Sequence, residues 1–239
     1  MIGHMKSRPL HQGVTPVIQV PDTGVYKPGM LTETICNLMQ IVPGDIVADV
    51  GCGCGYIGIT AALLGAKTVH CIDTVKAALS STLHNAALNH LTNIRVYEGY
   101  GLDPLKGCTL DVIISLPPQM PFKYNFNAER YGGTDGTDVI LRIIRKAAVM
   151  LRKQTGRFYL VHAAIAHPDK VRSAIAAEGL RCRTIHTVTK TLIPEELDLI
   201  YGGLADYILA LHRSGRAELT VTGNIYAYPV WYYLIRRPD

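Results

Sequence analysis

The chain has 239 residues, 48% of them apolar and 18% charged, with a formal net charge of +5 at neutral pH. That length suits one well-cored α/β domain with some decoration, and the composition excludes a disordered or fibrous chain. Mild basicity permits an acidic or nucleic-acid partner without requiring one, and six cysteines scattered at 36, 52, 54, 71, 108 and 182 form no disulfide framework.

Residues 1–24 are punctuated by proline and glycine and read as an irregular arm. A helix follows from Met30 to Met39, with Leu31, Thr34, Ile35 and Leu38 at helical spacing, and Pro43-Gly44 closes it. Residues 1–43 are thus an arm and helix ahead of a main domain at 44–239. Strands are predicted at 46–50, 68–72, 93–98, 110–115 and 157–164, with helices at 56–65, 75–89, 136–153 and 168–179. This alternation implies an α/β fold with a doubly wound, mostly parallel sheet. In the 136–153 helix, Arg142, Arg145, Lys146, Arg152 and Lys153 read as a solvated face, so no nucleic-acid partner is expected.

A sixth strand is predicted through Thr184 to Thr191, and an aromatic-rich strand over 225–235 ends the chain. Pro229 has no N–H, so an edge or a bulge is expected there. Between these strands, residues 194–223 carry an apolar stripe of Leu197, Ile200, Leu204, Ile208 and Leu211, with Gly202-Gly203 as a candidate break. The segment reads as a helix on the core, a lid over a substrate cavity, or a homodimer contact. No apolar run reaches the roughly 20 residues of a membrane span, and the expected setting is cytoplasmic.

The chemistry concentrates where the first parallel strand ends, at Asp49-Val50-Gly51-Cys52-Gly53-Cys54-Gly55. Glycines between a strand and a helix let a ligand approach the backbone, and the helix N-terminus offers unpaired N–H groups. The spacing is G-x-G-x-G rather than G-x-G-x-x-G, and a carboxylate two residues ahead repels a diphosphate while suiting an ammonium. A pyridine-dinucleotide oxidoreductase is the rival from another class. Cys52-x-Cys54 lacks the second ligand pair of a zinc site, so no metal is expected. Asp73, ending the second strand, is placed to accept ribose hydroxyls.

The glycine motif closely resembles the first motif of class I S-adenosyl-L-methionine (SAM)-dependent methyltransferases. The run Ser115-Leu116-Pro117-Pro118-Gln119-Met120-Pro121 resembles their (N/D)-P-P-(Y/F/W) motif, with a cadence closest to the protein-glutamine N-methyltransferase group. The segments Gly24-Val25-Tyr26-Lys27-Pro28 with Thr32, and Tyr131-Gly132-Gly133-Thr134-Asp135-Gly136, are similar to that group as well. The resemblance covers roughly residues 24–165. It implies a seven-stranded Rossmann-like sheet with an antiparallel C-terminal strand. It implies SAM contacts at Tyr26, Thr32, Asp49, Gly51, Cys52, Gly53, Gly55, Asp73, Thr74, Tyr100, Gly101 and Ser115.

The resemblance also places Leu116, Pro117, Pro118 and Gln119 at the reaction centre. In relatives the first motif residue accepts a hydrogen bond from the target NH₂ and the fourth stacks on a planar group; Leu116 and Gln119 do neither in the same form. The expected activity is therefore N-methylation of a small metabolite, amino acid or peptide. A protein glutamine or RNA base is the alternative acceptor, and a catalytically silent SAM-binding protein a further rival. Tyr226, Tyr228 and Trp231 are candidate walls of the acceptor cavity. His162 is a candidate base by position, weighed against a satisfied structural histidine.

Overall fold

Short runs of β-branched and apolar residues, each followed by a helix-forming segment, set the frame of the computed structural model. It describes residues 13–21, 24–125 and 129–238, with the backbone of 2–5. Two packed units are distinguished: Met1–Leu116, Lys146–Leu160 and Arg236–Asp239 form the first, Pro117–Arg145 and Val161–Ile235 the second.

In the first unit, β1 (Ile2–Met5) and β2 (Ile18–Pro21) pair antiparallel. After α1 (Met30–Leu38) come β3 (Ile46–Val50), α2 (Tyr56–Leu63), β4 (Thr68–Asp73), α3 (Lys76–Leu88), β5 (Ile94–Glu98) and β6 (Val112–Ser115). The start of β7 (Arg157–Ala163) pairs with β6 in the same unit. The strand order β5-β4-β3-β6-β7 is parallel throughout. With β4 on one side of β3 and β6 on the other, the chain reverses its winding at the end of β3, where such sheets open a ligand crevice.

Burial explains the local choices. Val47, Ala48 and Val50 of β3 are buried, as a strand covered on both faces requires. Residues Tyr56 to Ala62 of α2 are all buried, and a helix without a polar face must be enclosed all round. Asp45 and Arg157 form a buried ion pair at 2.6 Å, and the Asp45 carboxylate also accepts the Val42 N–H. The helix α4 (Asp138–Met150) buries Ile140, Ile143, Ile144 and Ala147 and exposes Arg142 and Arg145, the amphipathic pattern read from its sequence.

The second unit holds the end of β7, α5 (Pro168–Ala177), β8 (Arg181–Leu192), α6 (Pro194–Tyr201), α7 (Leu204–Arg213), β9 (Thr220–Thr222) and most of β10 (Ile225–Arg236). In hydrogen-bonded order β10 lies between β7 and β8, antiparallel as a C-terminal strand, with β9 folded back on it. The edge expected at Pro229 is corrected here. The Pro229 carbonyl still accepts the Ala164 N–H at 2.9 Å, so the missing donor does not end the strand.

Two further expectations change. The arm is not wholly irregular, since β2 lies within it. The apolar stripe of 194–223 does divide at Gly202-Gly203, where Gly203 adopts φ +78°. α7 buries Leu204, Ala205, Ile208 and Leu211, whereas α6 buries Leu197 and leaves Leu199 88% and Ile200 68% exposed, so Ile200 leaves the stripe. Among the described residues no helix is long and apolar enough to cross a membrane.

Candidate functional site

The turn after β3 is built from left-handed backbone. Gly51, Gly53 and Gly55 have φ of +79°, +54° and +84°, a region that side chains disfavour. The N–H groups of Gly51 and Cys52 both donate to the Ile72 carbonyl (2.8 and 3.0 Å), which folds the turn back over the end of β4. A Cβ at Gly55 would stand 2.9 Å from the Thr82 side chain.

Asp49 sits beneath this turn, 1% exposed. Its Oδ2 accepts the Gly58 N–H of α2 at 2.8 Å, while Oδ1 is buried with no partner. Burial pushes its pKa up to about 7; the Gly58 hydrogen bond opposes the rise and the Asp73 charge adds to it. An unpartnered carboxylate oxygen in the interior is costly unless a cation or donor meets it. The ammonium of an amino-acid tail is such a group, so the residues present fit SAM on this observation.

Asp73 ends β4 and does two things at once. Its Oδ2 accepts the Gly53 N–H (2.9 Å) and its Oδ1 the Val75 N–H (3.0 Å), which ties the glycine turn to the strand tip. Each oxygen keeps a further lone pair for a hydroxyl. Tyr26 is 40% exposed, and its carbonyl lies 3.9 Å from where a Gly53 Cβ would stand, so the predicted segment does reach the turn. Thr32 is buried in α1, Thr74 is exposed after β4, and Tyr100 is 38% exposed beside Gly101, whose φ is +61°. The buried Ser115 donates its hydroxyl to the Val50 carbonyl at 2.9 Å, fixing the backbone just ahead of Gly51.

Sequence reading missed the far side of the turn. Thr82 of α3 donates to the Gly53 carbonyl (3.0 Å) and lies 3.5 Å from the Cys52 Sγ, while Asn85 donates to the Cys54 carbonyl (2.9 Å). Both are fully buried. The signal was available: Thr82 and Asn85 interrupt the stripe of Ala78, Leu79 and Ala86, and polar residues at buried positions mark hydrogen bonds to be made.

In the second unit, the Pro-Pro segment is held by its own frame. Gln119 donates from Nε2 to the Val161 carbonyl (3.2 Å) and accepts the Ala163 N–H on Oε1 (2.6 Å), so its amide lies along the end of β7 as a neighbouring strand would. The Met120 N–H donates to Arg130, the Gly132 N–H to Met120, and the Phe122 N–H to Gly133. A Cβ at Gly132 would come within 2.5 Å of the Gln119 Cα, which explains a glycine there. Tyr207 of α7 donates its hydroxyl to the Thr134 carbonyl (2.9 Å) and sets its ring edge-on to Phe122, so the inserted helix packs on this frame. Pro117 is buried and Pro118 half-buried; Leu116, the last residue of the first unit, is half-buried.

His162 is enclosed, with Nε2 donating to the Ala166 carbonyl at 2.7 Å and burial lowering its pKa to about 4. Its ring packs against Trp231 and Tyr233, and the Arg172 guanidinium lies 5.4 Å over the Trp231 ring. Tyr226 and Tyr228 are buried on β10.

The family model for the methyltransferase small domain matches residues 23–188. The ribosomal protein L11 methyltransferase of Thermoanaerobacter sp. (strain X514) is 30% identical over 116 residues, 48% of this chain and 38% of that protein. That of Synechococcus elongatus is 47% identical over 72 residues, 29% of this chain and 24% of that protein. The chain thus spans well under half the length of the curated relatives it matches. Among solved structures, the ribosomal protein L11 methylase of Lactobacillus delbrueckii superposes with a TM-score of 0.52 at 17% identity, covering 86% of this chain and 77% of that one. The E. cuniculi Mtq2–Trm112 complex, described as methylating the eRF1 termination factor, gives 0.58 at 18% identity over 89% and 98%. At these identities the likeness to solved structures concerns the fold.

Proposed function

Because the chain belongs to the methyltransferase small domain family, with SAM as methyl donor, we propose that it methylates an amine nitrogen of a small metabolite, amino acid or peptide. The observation that carries this reading is the unpartnered carboxylate oxygen of Asp49 under a left-handed glycine turn whose other side is tied to Asp73. Asp49 would hold the ammonium of the cofactor, Asp73 its ribose, and the N–H groups at the start of α2 its carboxylate.

The bound cofactor supplies an electrophilic methyl group on a sulfonium. The chain's task is to align donor and acceptor, and such positioning is worth about 7–11 kcal/mol in favourable cases. The Leu116–Gln119 segment is assigned to the acceptor. Leu116 offers no polar side-chain group, and the Gln119 amide is hydrogen-bonded at both ends to β7. A planar amide or base needs side-chain partners that orient its lone pair; a neutral amine does not. No general base is assigned, since the His162 Nε2–H is held by the Ala166 carbonyl and burial lowers its pKa to about 4, which leaves the ring a weak base. A polypeptide amine is the second reading, favoured by curated relatives described as ribosomal protein methyltransferases.

The test is calorimetric titration with SAM, followed by transfer of tritiated methyl to a panel of amines, amino acids, basic peptides, glutamine peptides and RNA. Binding with label in an amine supports the proposal. Label confined to a glutamine amide or a base overturns the acceptor class, and SAM binding without release of S-adenosylhomocysteine from any mixture leaves a silent binding protein.

A further inference from the structure

Two asparagines, Asn85 in the last turn of α3 and Asn89 at its C-cap, grip the N-terminal arm as a strand would. Asn85 accepts the Gln19 N–H on Oδ1 (2.9 Å) and donates from Nδ2 to the Gln19 carbonyl (2.9 Å). One turn on, Asn89 accepts the Val17 N–H (2.9 Å) and donates to the Val17 carbonyl (2.8 Å). The two repeats are commensurate: four residues of helix rise about 6 Å, and two residues of strand about 6.7 Å. A helix carrying amides at i and i+4 can therefore engage both backbone groups of alternate strand residues. His84 adds a side-chain bond to Gln19 at 2.8 Å, and Ile18 and Val20, facing the other way, are buried.

The ladder does not stop at the arm. The second Nδ2 proton of Asn85 goes to the Cys54 carbonyl inside the glycine turn, and Thr82, one turn earlier, bonds the Gly53 carbonyl. One amide thus joins the arm to the cofactor turn. Further along the arm, the Tyr26 carbonyl approaches the same turn at Gly53.

We propose that residues 13–21 form a strap, seated by the Asn85–Asn89 ladder, whose docking retains SAM; Asn85 and Asn89 are positioning residues that act through the arm backbone and the Cys54 carbonyl. The inference rests on the SAM reading above. Asn89→Ala breaks the ladder at its outer rung, away from the turn. Val17→Pro removes the donor of that rung from the arm side, at a residue whose side chain is 50% exposed.

The experiment first establishes SAM binding by the wild-type protein, then measures SAM dissociation by stopped flow, amide exchange at residues 18–20 (and at 17 where Val17 is kept), and thermal melting. Expected for either variant is loss of exchange protection in the arm and a SAM dissociation rate raised about tenfold, with melting shifted by no more than about 2 °C. Dissociation unchanged while the arm is deprotected overturns the strap, as does an arm that stays protected after the rung is removed. Should one variant fail to fold, the other decides. Wild-type protein that binds no SAM would instead refute the cofactor reading itself.

Discussion

Replacing Asp49 by Asn should move stability and cofactor affinity in opposite directions. In the folded protein the Asp49 pKa stands at about 7 against an ordinary 3.8. Each tenfold change in proton affinity corresponds to about 1.4 kcal/mol, so holding this carboxylate ionised costs the folded state about 4 kcal/mol. The folded state binds more protons than the unfolded one between those values, so stability falls as pH rises from about 4 to about 7 and is level above. Asn keeps an acceptor for the Gly58 N–H and removes the charge. At pH 8 the Asp49→Asn protein should melt higher than wild type, by an amount that vanishes toward pH 4.

SAM affinity runs the other way. If the ammonium meets ionised Asp49, wild-type affinity falls about tenfold per pH unit below 7, because the proton must leave before the cofactor binds. Asp49→Asn should bind SAM at least a hundredfold more weakly at pH 8, since removing one member of a buried ion pair costs about 3–5 kcal/mol. It should also lose the pH dependence between 5 and 7. Calorimetric titration across that range, paired with melting curves, reads both. A flat wild-type binding profile, or a variant less stable than wild type at pH 8, would refute the reasoning.

Asp73→Ala removes the acceptor of the Gly53 and Val75 N–H groups together with the ribose partner; SAM affinity measured by titration should fall more than tenfold, and unchanged affinity would remove Asp73 from that role. Gly132→Ala drives a methyl into the Gln119 backbone, and a loss of about 1–3 kcal/mol is expected in denaturant unfolding. Leu199→Ser with Ile200→Ser alters two exposed side chains, so unfolding should shift by less than about 0.5 kcal/mol each. If 194–223 is a dimer contact, sedimentation will show the wild type heavier than this double variant; equal masses would leave the lid or packed-helix readings.

The frame was legible because its signals are local. β3 was read at its observed limits since Ile46-Val47-Ala48-Asp49-Val50 is a short apolar run bounded by Pro43-Gly44 and a glycine turn. The family followed from Asp49, the three glycines and Asp73. What sequence could not supply were pairings between distant segments. The strand β2 is stabilised by Asn85 and Asn89, more than sixty residues away, so Ile18-Gln19-Val20-Pro21 carries no strong signal of its own. Pro229 misled for a related reason: its missing N–H is a local fact, whereas its carbonyl partner, Ala164, is a tertiary one. Likewise Gln119 reads as a free polar side chain until β7 is placed beside it.

SAM is an alkylating agent, and this chain lodges thiols next to the turn assigned to hold it. Cys54 is 2% exposed and its pKa is pushed up to about 12, mainly by burial; Cys36 and Cys71 are raised as well. Only the deprotonated sulfur is an effective nucleophile, and at pH 7 that form of Cys54 amounts to on the order of one molecule in 10⁵. The burial that fits the Cys54 side chain into this turn thus also keeps its sulfur protonated and poorly nucleophilic beside an electrophile.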